Sequence, residues 1–146
     1  MSILRWTAAA AALSAVLLTV HFSAPVPQVK PQNVGKCDDK AQYTLVMNSF
    51  DSDDLVPGKP CQMKAVFTPT ASGHIETMEM KVYKMGIKIW SQTYKQPMDF
   101  QKDTQFVFDF KTTLPSFIPH ITVHMNLDFM DGPKQEQGCI AFDLSF

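Results

Sequence analysis

Few residues in this chain could do chemistry. His120 and His124 stand four apart, the spacing that brings two imidazoles to one metal ion on a helix. On a strand the same spacing holds their Cα atoms roughly 13 Å apart, too far for a single ion, and leaves both on a solvated face. Asp51, Asp53 and Asp54 could open a calcium loop, but the remaining alternating ligands and the distal glutamate are missing, so a solvated turn is expected. No Gly-x-Ser-x-Gly elbow, His-Glu-x-x-His zinc motif or phosphate-cradling glycine loop occurs. His74, Trp90 and Tyr94 have no partner that spacing identifies. The reading is of a protein that is not an enzyme, with no catalytic residue, metal site or cofactor.

Three cysteines, Cys37, Cys61 and Cys139, fit no zinc spacing. They allow one disulfide and leave one over. Cys37 precedes the first clear strand and Cys139 opens the last, so a bridge between them would tie the ends of the domain together. Closing such a loop stabilises by on the order of 4–5 kcal/mol in the chain-entropy picture. Cys61 is then a free thiol or an intermolecular partner, with burial as a small apolar residue the expectation.

The N-terminus indicates the compartment. Arg5 is followed by an apolar run from Ala8 to Val20 and by small residues at Ser23 and Ala24, the organisation of a secretory signal peptide. The run is shorter than the roughly 18–20 residues that span a bilayer. The expected layout is a signal peptide over 1–24, an extended Pro-rich lead-in over 25–36, and one domain over 37–146. An exported chain meets conditions in which disulfides persist. Without Arg5 the 13 basic residues fall to 12 against 14 acidic ones, and no basic block stands out, which argues against nucleic acid as a partner. Asn33, Asn48 and Asn126 are not followed by glycosylation sequons.

The elements that position these residues are strands. In "ITVHMNLDFM" Ile121, Val123, Met125, Leu127 and Phe129 share one face, while Thr122, His124, Asn126 and Asp128 share the other. The same alternation puts Met78, Met80 and Val82 together in "IETMEMKVY", Phe106, Phe108 and Phe110 in "QFVFDFK", and Ile140, Phe142, Leu144 and Phe146 in the last segment. Ile87 and Ile89 align after Gly86. Period-two patterning between Gly/Pro/Asp turns predicts an all-β, antiparallel sandwich of two sheets and about seven strands. Nine Met and 11 Phe supply the inward faces, and Met fills irregular space readily. Alternation alone does not say whether those faces meet each other or enclose a ligand.

The order and spacing of Cys37 with its acidic neighbour, "VPGKPCQMKAVF", "VYKMGIKIW", "LPSFIPHITVHMNLDFMDG" and "GCIAFDLSF" resemble the ML lipid-recognition family, over nearly all of residues 37–146. That resemblance implies an immunoglobulin-like sandwich whose sheets splay to hold the apolar part of a lipid, and a bridge joining Cys37 to Cys139. It implies walls from the inward faces of 78–82, 106–110 and 121–129 with Phe142. Ile87 and Ile89 fall where the family's sterol carrier has cavity-lining side chains. Phe117 and Ile118 fall in a loop near the cavity mouth. The loop expected around 95–103, bridged in several relatives, has no cysteine here. The function implied is a secreted or lysosomal carrier of a sterol, phospholipid or glycolipid that meets a membrane surface or receptor for hand-over. The rival reading is a secreted recognition or adhesion sandwich with a solid core.

Overall fold

A computed structural model describes residues 29–118 and 122–146. The expected signal peptide, residues 25–28 of the lead-in, and Pro119, His120 and Ile121 lie outside the described residues. The described residues form eight strands: β1 (Gln32–Lys36), β2 (Leu45–Ser52), β3 (Pro60–Pro69), β4 (Gly73–Lys84), β5 (Ile87–Phe100), β6 (Phe106–Thr113), β7 (Thr122–Met130) and β8 (Glu136–Ser145). They make a five-stranded sheet ordered β1-β8-β7-β4-β5 and a three-stranded sheet ordered β2-β3-β6, with every pairing antiparallel. The count exceeds the expected seven by β1, which lies inside the Pro-rich lead-in. Its pairing with β8 uses backbone groups, and its residues are mostly exposed, so no alternation announces it.

The stretch expected as a loop around 95–103 is strand as far as Phe100. Register steps from Thr77↔Lys95 to Ile75↔Met98, so Gln96 and Pro97 together oppose Glu76 in a bulge. β5 is an edge strand, and at a bulge on an edge proline's missing N–H costs no ladder bond. At the other end of the hairpin Lys84 pairs with Ile87 across a two-residue turn, Met85-Gly86, with φ of 50° and 79°. Two positive φ values match the twist of an antiparallel pair, a position usually given to Asn or Asp followed by Gly. Methionine there is strained, yet its side chain is 91% exposed.

Burial follows the alternation. Met78, Met80 and Val82 on β4, Val123, Met125, Leu127 and Phe129 on β7, and Ile140, Phe142 and Leu144 on β8 are buried on one sheet; Met63, Ala65, Phe67, Phe108 and Phe110 face them from the other. Gly138 on β8 lets β2 approach closely, because a Cβ there would lie 3.0 Å from the Leu45 Cβ and push the two strands apart by a few tenths of an ångström.

The outer face of the larger sheet is held by polar links. Asp128 is buried although it alternates with solvent-facing residues; Lys81 Nζ lies 2.6 Å from its Oδ2 and 3.8 Å from Glu79 Oε2. Glu79 pairs directly with Asp128 in register, so Lys81 offsets a like-charge pair. The Asp128 hydrogen bond raises the Lys81 pKa. Beside Asp128 the Cys37–Cys139 disulfide spans a sequence separation of 102 residues at a Cα–Cα distance of 5.4 Å. His124 Nδ1 lies 2.8 Å from Asp143 Oδ1, and Asn33 donates to Asp143 Oδ2 at 3.0 Å, linking β7, β8 and β1. Those two contacts hold the Asp143 carboxyl below its ordinary range.

At the far side His74 lies between two carboxylates, with Nε2 2.9 Å from Glu76 and Nδ1 2.6 Å from Asp99. Hydrogen bonds to Glu76 and then Asp99 raise the His74 pKa. The folded protein therefore holds this proton more tightly than the unfolded chain, and the clip stabilises most below the ordinary imidazole pKa, fading as pH rises through the folded value. His74→Gln is expected to lower the melting temperature more at about pH 5 than at about pH 8.5; equal losses at the two pH values would refute the linkage. Removing the disulfide with Cys37→Ala and Cys139→Ala together is expected to lower the unfolding free energy by about 3–5 kcal/mol, measured by urea denaturation.

Candidate functional site

Ten of the expected wall residues, Met78, Met80, Val82, Phe108, Phe110, Val123, Met125, Leu127, Phe129 and Phe142, are buried between the sheets. Phe106 and Ile89 are half-buried at the margin of the same cluster. Alternation brings them together because successive strands place their even-numbered or odd-numbered residues on the inner pleat. Ile118 is buried at 6% exposure, whereas Ile87 and Phe117 stand in solvent at 70% and 62%. Ile121 lies outside the described residues.

The centre of the interlayer is filled by side chains of the two sheets. Phe67 on β3 and Phe108 on β6 each meet the Phe129 ring of β7 edge-on, with centroids 5.0 Å apart. Phe50 on β2 stacks on Phe142 of β8 at 5.2 Å. Such ring pairs add about 0.5–1.5 kcal/mol each beyond their burial. Around the rings lie four fully buried thioethers, Met63, Met78, Met80 and Met125. Where the resemblance implies a lipid cavity, the space between the sheets is occupied by the protein's own rings and sulfurs.

One long seam of the sandwich is stitched by polar contacts. Along β5 and β6 the Tyr94 hydroxyl bonds Thr112 Oγ1 at 2.5 Å, and Gln96 Nε2 donates to the Asp109 carbonyl at 3.0 Å. Thr112 is itself buried and its Oγ1 lies 3.8 Å from the Met80 sulfur, so this latch sits directly over the interlayer. Phe100 stacks on Phe106 at the end of the same seam. A small cavity of about 210 Å³ opens outside the latch, lined by Pro60, Gln92, Tyr94, Lys111, Thr112 and Thr113. A larger one of about 660 Å³ lies at the opposite seam, where the chain from Lys36 to Met47 passes the ends of β3 and β8. Neither touches the expected walls. The sequence did not point to Tyr94, Thr112 or the larger cavity: cross-sheet partners have no fixed spacing, and residues 37–44 follow no period.

The reactive groups are quiet. Cys61 is free and buried, and burial followed by the nearby Asp53 pushes its thiol up to about 11, leaving it protonated and poorly nucleophilic. Cys37, Asp128 and Cys139 bring three potential metal-ligating atoms within 4.8 Å of one another. The two sulfurs are bonded to each other and the carboxylate is held by Lys81, so this cluster offers no thiolate to an ion. At the β4–β5 turn Met85 and Ile87 are the exposed apolar residues, flanked by Lys84 and Lys88. Phe117, in the β6–β7 connection, projects at the same end of the sandwich.

Among solved structures, the sandwich is similar to a Niemann-Pick type C2 protein from the Japanese carpenter ant, with a TM-score of 0.55 and 12% identity over 73% of this chain and 95% of that one. It is also similar to chicken MD-1 complexed with lipid IVa, with a TM-score of 0.54 and 14% identity over 82% of this chain and 96% of that one. At such identities the likeness speaks to the fold. A search of curated proteins finds no match. The sequence profile of the ML domain matches residues 31–146, from β1 through the last strand. This chain belongs to the ML-domain family.

Proposed function

We propose that the protein is an exported carrier that holds the apolar part of a sterol, phospholipid or glycolipid between its two sheets. The observation that carries this reading is the make-up of the interlayer: four fully buried methionines lie among the phenylalanine rings. Unbranched thioethers change rotamer at small cost and fit varied neighbours, so a layer built on them can part around a guest and close again. Membership of a lipid-recognition family supports the same reading. Burying about 14 methylenes at roughly 0.8 kcal/mol each gives on the order of 11 kcal/mol of gross driving force. Parting the aromatic contacts and ordering the lipid oppose it.

Hand-over takes place at a membrane surface. Met85, Ile87 and Phe117 offer exposed apolar contact, while Lys84 and Lys88 flank the turn with charge suited to anionic headgroups. The rival, a recognition domain with a permanently solid core, draws on the Phe67–Phe129 and Phe108–Phe129 contacts. Native mass spectrometry of protein purified without detergent separates the two. A co-purifying lipid supports the carrier, and a lipid-free protein that takes up none on incubation with vesicles leaves the solid-core reading.

Phe108→Asp places a charge in this layer and is expected to abolish lipid uptake or prevent folding; a folded variant with unchanged uptake would remove Phe108 from the walls. Met85→Asp with Ile87→Asp is expected to leave the equilibrium lipid load intact. The same pair should slow lipid transfer to phosphatidylcholine vesicles containing phosphatidylglycerol several-fold.

A further inference from the structure

The cavity of about 660 Å³ at the β1–β2 side lies against the edge of the interlayer, sharing Phe67 with it, and has its own chemistry. Its floor is apolar, made by Leu45 and Phe67, 3% and 1% exposed, with Met47 beside them. Its rim is polar, with Gln42, Tyr43, Thr44 and Thr70, and carries one full charge, Lys36. Lys36 Nζ donates to the Ala41 carbonyl at 3.2 Å, which holds the ammonium at the rim, and it forms no ion pair among the described residues. Three acids border the groove: Glu136 and Asp38 both act on Tyr43, and Asp128, held by Lys81, lies beside Cys139; none of them pairs with Lys36. Burial followed by Asp128 raises the Glu136 pKa, away from the charged form. The volume lies within the roughly 300–1,000 Å³ of small-molecule sites, and an apolar base with a few placed polar groups is their usual composition.

The walls are formed differently from the rest of the molecule. One side is β2; the other is residues 37–44, which have no strand pairing and are anchored at one end by the disulfide and at the other by Thr70, whose N–H donates to the Thr44 carbonyl at 2.8 Å. The Phe67 ring separates the cavity from the interlayer, meeting Phe129 at 5.0 Å and Phe106 at 5.7 Å on its inner side. A guest in the cavity can therefore touch the core's outer surface without entering it.

We propose that this groove is a second ligand site, for a single-chain amphiphile with an anionic headgroup. The head is held by Lys36 with help from the rim hydroxyls, and the chain lies over Leu45, Met47 and Phe67. The selectivity is for charge sign as well as for an apolar chain, because the rim supplies a cation with no ion-pair partner among the described residues and the floor supplies none of the polar groups a sugar would need. A fatty-acid carboxylate and a monoacyl phosphate share this chemistry, and the groove recognises it in either.

The test is amide NMR of the ¹⁵N-labelled protein titrated with dodecanoate below its micelle concentration, with decyl phosphate and with dodecyltrimethylammonium. Dodecanoate is expected to shift amides of residues 41–47 and of Phe67 and Thr70; comparable shifts with decyl phosphate show that the headgroup's charge, and not the carboxylate alone, is recognised. Dodecyltrimethylammonium is expected to leave those amides in place. Lys36→Gln should weaken dodecanoate binding about tenfold. Gln42→Trp, which fills the groove from an exposed position, should abolish the shifts while the remaining spectrum stays native. Equal binding of the cationic amphiphile, shifts confined to interlayer residues such as Met80 and Phe108, unchanged affinity in both variants, or no binding at all would overturn the proposal. Occupancy of the interlayer is read separately from the Met80 and Met125 methyl signals, so the two sites stand or fail independently.

Discussion

The constraint on which the structure depends is the pairing of a five-stranded sheet with one of only three strands across a single apolar layer. Neither sheet can bury its inner face alone, and each large side chain that alternation sends inward is satisfied only if the other sheet is there to meet it. Phe129 shows this most directly, because one ring on β7 serves as the contact for two rings on β3 and β6. The layer is consequently cooperative: displacing Phe129 would leave Phe67 and Phe108 without their edge-on partner. A guest between the sheets must replace all of those contacts together.

Polar groups divide the remaining work by position. The links on the outer face of the larger sheet, Lys81 with Asp128 and His124 with Asp143, hold strands to their own sheet. The seam contacts, Tyr94 with Thr112 and Gln96 with Asp109, hold one sheet to the other. A hydrogen bond contributes a net ~1 kcal/mol, so these seam contacts add little to the burial of the rings, which is what holds the two sheets together. The disulfide fastens the end of β1 to β8 within the larger sheet, away from the β5–β6 seam.

Most of the architecture was legible in the sequence, because period two is imposed by the pleat and survives in Met78 to Val82, Phe106 to Phe110 and Val123 to Phe129 regardless of tertiary detail. Three features were not. β1 joins the sheet through backbone pairing and has no buried side-chain face to reveal it. The strand from Lys95 to Phe100 contains a proline, which reads as a break until the bulge opposite Glu76 is seen to absorb it. Asp128 alternates as a surface residue and is buried, because the side chain that covers it comes from β4, some 47 positions earlier in the chain. The candidate site was legible in the same uneven way. The buried inner faces followed from alternation, while Ile87 and Phe117, placed by resemblance, lie outside the buried layer. The groove beside residues 37–44 had no sequence signal, since it is made by an irregular segment leaning on the ends of strands.

The bulge at Gln96 and Pro97 has a consequence for the protein's behaviour at high concentration. β5 is the longest of the described strands, 14 residues, and lies at the margin of its sheet, where a straight and uninterrupted ribbon would offer another copy a template for continuing the hydrogen-bonded ladder. A residue lacking an amide proton, set in a kink and preceded by Lys88 and Lys95, denies an incoming chain any long run of matched donors and acceptors. The irregularity that disguised this strand is thus also its protection against fibrous self-association.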